Sequence, residues 1–358
     1  MIVARVLTAA VALFALVAIA PPASGTSMVS LPPAVVALGD SLASGESAGA
    51  YEPGTDQAGN FCHRSALSQT AAAPLTGRRI NLACSGATTG NVRLGGQARY
   101  GEAPQAEQLR AVAREYRVTA VVLTIGANDL GFAPLVLDCV QAYLLLGRRC
   151  QDVWTPTLTA KLAALASGVA RSLADVRSVL RDAGYADDAY QLVLQSYPSP
   201  ITEQNRYLLT KALQGCPFRN DDALWARTVL APALAATLGD VAKAGGARFL
   251  DLSQSMYGHE VCARGIDRSQ EWVTGIRIDL GSLRAGLGPQ LVQQSLHPNA
   301  DGHAQLGRCL AAFTATTDPA GRCVAGADGH LTAVALGAVQ PAAPRTLPVT
   351  TEPPPQQP

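Results

Sequence analysis

The sequence predicts an α/β fold, with a central parallel sheet and helices packed on both of its faces. Apolar strands and amphipathic helices alternate from residue 34 to residue 313, which is the signature of repeated βαβ units. The stretch Val118–Ile125 (VTAVVLTI) is apolar nearly throughout instead of alternating, as a central strand covered on both faces requires. Three strands run directly into glycine and small polar residues, the composition of strand-to-helix turns.

In chain order, Ala34–Leu38 is the first strand and stops at Gly39-Asp40-Ser41. Residues 45–64 are rich in Gly, Asp, Glu and Asn and read as loop. Ala66–Ala73 reads as a short helix ended by Pro74. Arg79–Ala83 is a short strand that runs into Cys84-Ser85-Gly86. Ala103–Tyr116 is helical, with Ala106, Leu109, Val112 and Ala113 on one face. The central strand 118–125 ends at Gly126-Ala127-Asn128-Asp129. Leu158–Ala183 is a long helix whose leucines and valines recur at helical spacing, as core packing requires. Tyr190–Gln195 is a strand, Leu224–Ala244 a helix and Arg248–Leu252 a strand. Residues 253–295 have weak periodicity and read as a loop-rich rim, followed by a final helix over Asp301–Phe313.

Of the 358 residues, 48% are apolar and 15% are charged, ample for a core, and the formal net charge is +1. That balance gives no footing for nucleic acid or an anionic surface. At the N-terminus, Arg5 precedes an apolar run over Val6–Ala20. Pro21-Pro22 closes the run, and Ala23-Ser24-Gly25 follows. This is the layout of a cleaved secretory signal, and the run is short for a bilayer span. The expected organisation is a signal over 1–25, one domain over 26–323 and a proline-rich disordered tail over 324–358. The expected location is therefore secreted, with no stable membrane span after cleavage.

The eight cysteines are Cys62, Cys84, Cys139, Cys150, Cys216, Cys262, Cys309 and Cys323. No pair has the Cys-x-x-Cys spacing of a zinc or thioredoxin-like centre. An even number in an exported chain reads as disulfides. The sequence leaves the pairing open, although the short separations 139–150 and 309–323 favour local bridges.

Three strand ends line up in such a sheet, carrying Ser41, Gly86 and Asn128. Acyl transfer needs a nucleophile and donors aimed at a developing oxyanion. Ser41 supplies the hydroxyl. The main-chain N–H groups of Ser41 and Gly86 and the Asn128 amide supply donors. His297, in Ser295-Leu296-His297-Pro298-Asn299, stands on a loop before the last helix, where a general base would sit. His303 falls inside that helix and reads as a packing residue, while His63 and His259 read as surface or hydrogen-bonded loop residues. Gly45-Glu46-Ser47-Ala48-Gly49 matches the G-x-S-x-G elbow, but no strand directly precedes it and loop follows.

GDS at 39–41, the glycine of ACSGATT at 83–89, GAND at 126–129 and HPN at 297–299 occur in one order. Together they resemble the SGNH, or GDSL, hydrolase family, and the GDSLASGE stretch with Cys62-His63-Arg64-Ser65 is similar to its secreted actinobacterial esterases and lipases. The resemblance spans about residues 34–313. It implies a flavodoxin-like three-layer α/β/α sandwich, no metal or cofactor, and a small-molecule or lipid acyl ester as substrate for a monomer. It also implies Ser41 as nucleophile, His297 as base, and Gly86 and Asn128 with the Ser41 amide as oxyanion donors. It further implies the bridges Cys62–Cys84, Cys139–Cys150 and Cys216–Cys262, leaving Cys309 and Cys323 as the fourth pair.

One position departs from that family. Three residues before the histidine, where the family has an acid, this chain has Gln294. The expectation is that His297 is oriented by a neutral acceptor, the main-chain carbonyl or side-chain amide oxygen of Gln294. The alternative is a carboxylate from elsewhere, such as Asp279. Residues 131–157 and 253–295 are expected to wall the pocket, with Leu144-Leu145-Leu146 either at its lip or in the core. The competing functional class is an exported glycan- or lipid-binding protein on the same fold, with its catalysis weakened by Gln294.

Overall fold

The computed structural model describes residues 31–207, 210–277 and 293–337. Among these residues, seven strands form one sheet in the order β2-β1-β3-β4-β5-β6-β7. They are β1 (Pro33–Gly39), β2 (Arg78–Asn81), β3 (Arg117–Thr124), β4 (Gln191–Gln195), β5 (Arg248–Asp251), β6 (Ala320–Ala325) and β7 (Leu331–Ala335). The first six pair in parallel, and β7 returns antiparallel along β6. The expected signal segment 1–25 and residues 338–358 lie outside the described residues.

Alternation along the strands sorts the core onto two faces. Val36 and Leu38 of β1, Val121 and Leu123 of β3, and Leu192 and Leu194 of β4 share one buried cluster. That cluster includes Val92 of α3 (Thr89–Val92), Leu109 of α4 (Gln105–Glu115), Leu165 and Leu173 of α7 (Cys150–Asp182), and Leu238 of α9 (Ala231–Ala244). Val35, Val122, Val193 and Leu250 point the other way, onto Leu306, Leu310 and Phe313 of α10 (Ala300–Thr314). The fold is thus a three-layer α/β/α sandwich.

Several elements differ from the sequence reading. The long helix starts at Cys150, ahead of the expected Leu158, so Pro156 lies inside it. Proline has no N–H to offer the carbonyl four residues back. Here the Arg148 guanidinium donates to that carbonyl, Asp152 O, at 2.8 Å, so the first turns persist. The helix expected over Leu224–Ala244 begins earlier, as α8 (Asn220–Trp225), and reaches α9 through a π-turn over Ala226–Leu230. The expected helix Ala66–Ala73 is reduced to α2 (Gln69–Ala72).

The boundary at 323 needs correction. Residues 320–325 and 331–335 are strands, so the domain continues past Cys323. β7, with Thr332 and Val334 as its β-branched residues, pairs with β6 across a turn in which Gly329 adopts φ +77°. Four disulfides join Cys62–Cys84, Cys139–Cys150, Cys216–Cys262 and Cys309–Cys323.

Candidate active site

β1 and β3 lie side by side, second and third from the β2 edge of the sheet, and deliver the site at their C-terminal ends, where open α/β sheets gather ligands. Gly39 closes β1 with φ +136°, and a Cβ there would sit 1.9 Å from Thr124 O of β3. Only glycine permits this approach. Asp40 then caps α1 (Ser41–Ser44), its Oδ1 accepting from the Leu42 N–H at 3.1 Å. Its Oδ2 accepts from the Tyr197 hydroxyl at 2.5 Å. Asp40 is fully buried, and burial pushes its pKa up to about 7 against the pull of these hydrogen bonds. Its bonds all go to the scaffold beneath Ser41.

Ser41 opens α1, with its Oγ 2.7 Å from His297 Nε2. His297 Nδ1 lies 3.0 Å from the carbonyl oxygen of Ser295. Nδ1 therefore carries the proton and donates to that carbonyl, leaving Nε2 to face the serine. The acceptor is main-chain, as a neutral partner requires: the Ser295 carbonyl takes the hydrogen bond, and the Gln294 main-chain carbonyl also acts on the ring. A loop that turns back so tightly, with Leu296 at φ +61°, brings its own carbonyl under the ring. Asp279 lies outside the described residues. Phe132 stands edge-on to the imidazole at 6.3 Å. Burial lowers the His297 pKa, opposed by the charge of Glu46 and the main-chain carbonyls of Ser295 and Gln294.

Asn128 sits in α5 (Ala127–Leu130), its Nδ2 donating to Ala87 O at 2.9 Å. One amide hydrogen is anchored, and the other remains for a ligand. Gly86 has φ +73°, and a Cβ there would meet the Arg99 guanidinium at 2.2 Å. Among the described residues, no protein acceptor meets the N–H of Ser41 or Gly86. Ser41, Asn128 and His297 line one cleft, and Gly86 is not among the lining residues.

The cleft is strongly apolar. Leu130, Val136, Phe218, Leu230 and Leu234 form its walls beyond Ser41. The expected rim 131–157 contributes through α6 (Phe132–Leu144). The described part of 253–295 does not line the cleft, and residues 197–201 and 218–234 take its place. Leu144, Leu145 and Leu146 are not core, as Leu145 is 77% and Leu146 85% exposed.

The other histidines separate clearly. His303 is buried in α10, with Nδ1 accepting from the Gln69 N–H at 3.2 Å. His259 stacks on Trp272 at 3.6 Å. His63 is buried, contrary to a surface reading, with Nδ1 2.8 Å from Glu46. Glu46, which sequence reasoning passed over, is wholly buried behind α1. Its only sequence signal was an acidic residue in an otherwise small-residue loop, with a histidine and Asp56 nearby. Ser47 meets Thr274 Oγ1 at 2.5 Å and has no histidine as a hydrogen-bond partner among the described residues.

The sequence model of the GDSL-like lipase/acylhydrolase family matches residues 37–305, well over half of the chain. The chain belongs to this family. A curated lipase of Streptomyces rimosus is 42% identical over 107 residues, which is 29% of this chain and 33% of that protein. The match thus spans about a third of that relative's length. The crystal structure of an extracellular lipase from Streptomyces rimosus aligns at TM-score 0.49 and 26% identity, covering 79% of this chain and all (100%) of that one. The crystal structure of phospholipase A1 from Streptomyces albidoflavus NA297 aligns at TM-score 0.50 and 22% identity, over 76% and 94% of the two chains. The likeness to this phospholipase bears on the fold.

Proposed function

We propose that this protein is a secreted carboxylic ester hydrolase working through a Ser41 acyl-enzyme. The observation that carries the reading is the 2.7 Å contact between Ser41 Oγ and His297 Nε2 at the mouth of an apolar cleft. With its pKa lowered, His297 is neutral near pH 7 and free to take a proton. Nε2 accepts the Oγ proton as the oxygen attacks the ester carbonyl carbon. The resulting oxyanion is met by the main-chain N–H groups of Ser41 and Gly86 and by the Asn128 amide. As the tetrahedral species collapses, Nε2–H protonates the leaving alkoxide and the alcohol departs. Water then attacks the acyl-enzyme, again deprotonated by Nε2, and releases the acid with Ser41 restored. No step calls for a metal or cofactor.

The apolar walls beyond Ser41 fit an aliphatic acyl chain, with the alcohol portion left at the mouth. Export accords with the signal-like 1–25 segment and with eight cysteines all paired. Nitrophenyl esters of rising chain length, assayed beside Ser41→Ala, test the reading. Hydrolysis that disappears in Ser41→Ala is the expected result. Unchanged hydrolysis in that variant overturns it.

A further inference from the structure

A buried carboxylate stands behind the Ser41–His297 pair without touching it. Glu46 follows α1 and is 0% exposed. Its carboxylate meets His63 Nδ1 at 2.8 Å, Gln293 Nε2 at 3.0 Å and the Tyr51 hydroxyl at 3.3 Å. The other ring nitrogen of His63 lies 3.0 Å from Asp56 Oδ1. With a carboxylate at each nitrogen, both must donate, so His63 is an imidazolium and Glu46 its anion. Burial alone would push Glu46 up, but the His63 hydrogen bond and the nearby histidine charges hold it below its ordinary value. A buried ion pair is a weak source of stability compared with apolar packing of the same volume, so its placement calls for another account.

That placement brackets the histidine. Gln293, four residues before His297, is held by Glu46 Oε2 and by Phe61 O, each at 3.0 Å. His303, six residues after it, has Nε2 3.4 Å from the main-chain oxygen of Glu46. One residue of the Ser41 loop thus grips the chain on both sides of His297. We propose that Glu46 is a positioning residue for the Ser41–His297 pair. It clamps the His297 segment to the Ser41 loop, and its negative charge favours the imidazolium, a task the neutral Gln294 cannot perform. The proposal rests on the Ser41–His297 reading above. The leading charge effects at His297 are those of Glu46, which raises its pKa, and His63, which lowers it. Asp40, the buried neighbour of Ser41, also titrates, its pKa pushed up to about 7 by burial. His303 is neutral, its own pKa pushed down to about 4 by burial.

The test measures kcat/KM for nitrophenyl acetate, and Ser41 inactivation by a nitrophenyl phosphonate, across pH. Glu46→Gln removes the anion and lets His63 lose its proton. The acid limb is expected to move to lower pH, with kcat falling roughly tenfold, the scale of one charge-assisted contact. His63→Gln leaves the anion without its counter-charge, and the acid limb is expected to move to higher pH. Gln293→Ala cuts the tether alone, so it should lower kcat with the limb unmoved. A purely structural role for Glu46 cannot produce opposite displacements. Displacements in the same direction, or none, overturn the proposal while phosphonate labelling of Ser41 leaves the parent reading intact. If Glu46→Gln fails to fold, an unmoved limb in His63→Gln overturns it. Wild-type protein that resists phosphonate, or labels equally in His297→Ala, overturns the parent reading and this proposal together.

Discussion

His297 donates from Nδ1 to the carbonyl oxygen of Ser295, two residues earlier on the same loop, at 3.0 Å. A main-chain acceptor is indifferent to the side chains around it, so the tautomer of His297 is set by loop conformation. Gln294→Ala is accordingly expected to keep kcat within a few-fold of wild type. His297→Ala removes the proposed base and should lower kcat by roughly 10²–10⁴-fold. Steady-state hydrolysis of nitrophenyl acetate by the two variants decides it, and equal collapse of both would refute the main-chain account.

Gly39 makes a second prediction. Its φ of +136° and a Cβ position 1.9 Å from Thr124 O mean that Gly39→Ala must push β1 away from β3 where Ser41 is presented. Backbone strain at such a position costs about 1–3 kcal/mol before any clash is counted. The expected outcome is a clear fall in melting temperature together with loss of Ser41 labelling by phosphonate. Wild-type behaviour in both measurements would show that the strand ends have room to spare.

These two cases mark what the sequence could and could not reveal. The buried strands were legible because both-face burial leaves apolar runs such as Val118–Ile125, and Ser41 and His297 were legible because motif order tracks strand order. The acceptor on His297 was not legible, since any residue's carbonyl looks alike in sequence. Helix α6 was missed because Pro134 and a nearly uniform apolar composition hide its period. The stretch after Cys323 read as tail because its composition drifts toward proline. Pairing of β7 with β6 depends on a neighbour that local pattern does not reveal. The Glu46–His63 pair joins two parts of a polar loop whose composition suggests only solvent.

Acid sensitivity should be traceable to His303. It is buried and neutral, with its pKa pushed down from 6.5 to about 4 by burial. The unfolded chain takes up a proton there below about pH 6.5, and the folded chain resists until near pH 4. His303 thus costs nothing above pH 6.5 and destabilises progressively as pH falls through that window. At pH 5 the penalty is about 2 kcal/mol. Asp40 and Glu260, both raised to about 7, act in the opposite sense, since their folded forms take up protons first. The test must therefore be a difference. Urea unfolding of wild type and His303→Gln at pH 7.5 and pH 5 should show the variant losing about 2 kcal/mol less. Parallel losses would mean that His303 titrates freely in the fold.

Chain-length preference should be set by the cleft walls rather than by the Ser41–His297 pair. Val136 on α6 and Leu230 at the end of the π-turn before α9 face the same apolar space beyond Ser41. Each methylene of an acyl chain seated there contributes about 0.8 kcal/mol, close to fourfold in kcat/KM. Replacing Val136 by Trp fills the space without touching Ser41, His297 or Asn128. Hydrolysis of the acetyl ester should then stay near wild type, while the advantage of octanoyl over acetyl esters shrinks by at least an order of magnitude. Leu230→Ala should do the reverse and favour the longest chains. A nitrophenyl ester series run on both variants separates the outcomes. If Val136→Trp lowers activity on all chain lengths equally, the acyl chain lies elsewhere and the cleft serves only to shelter the serine.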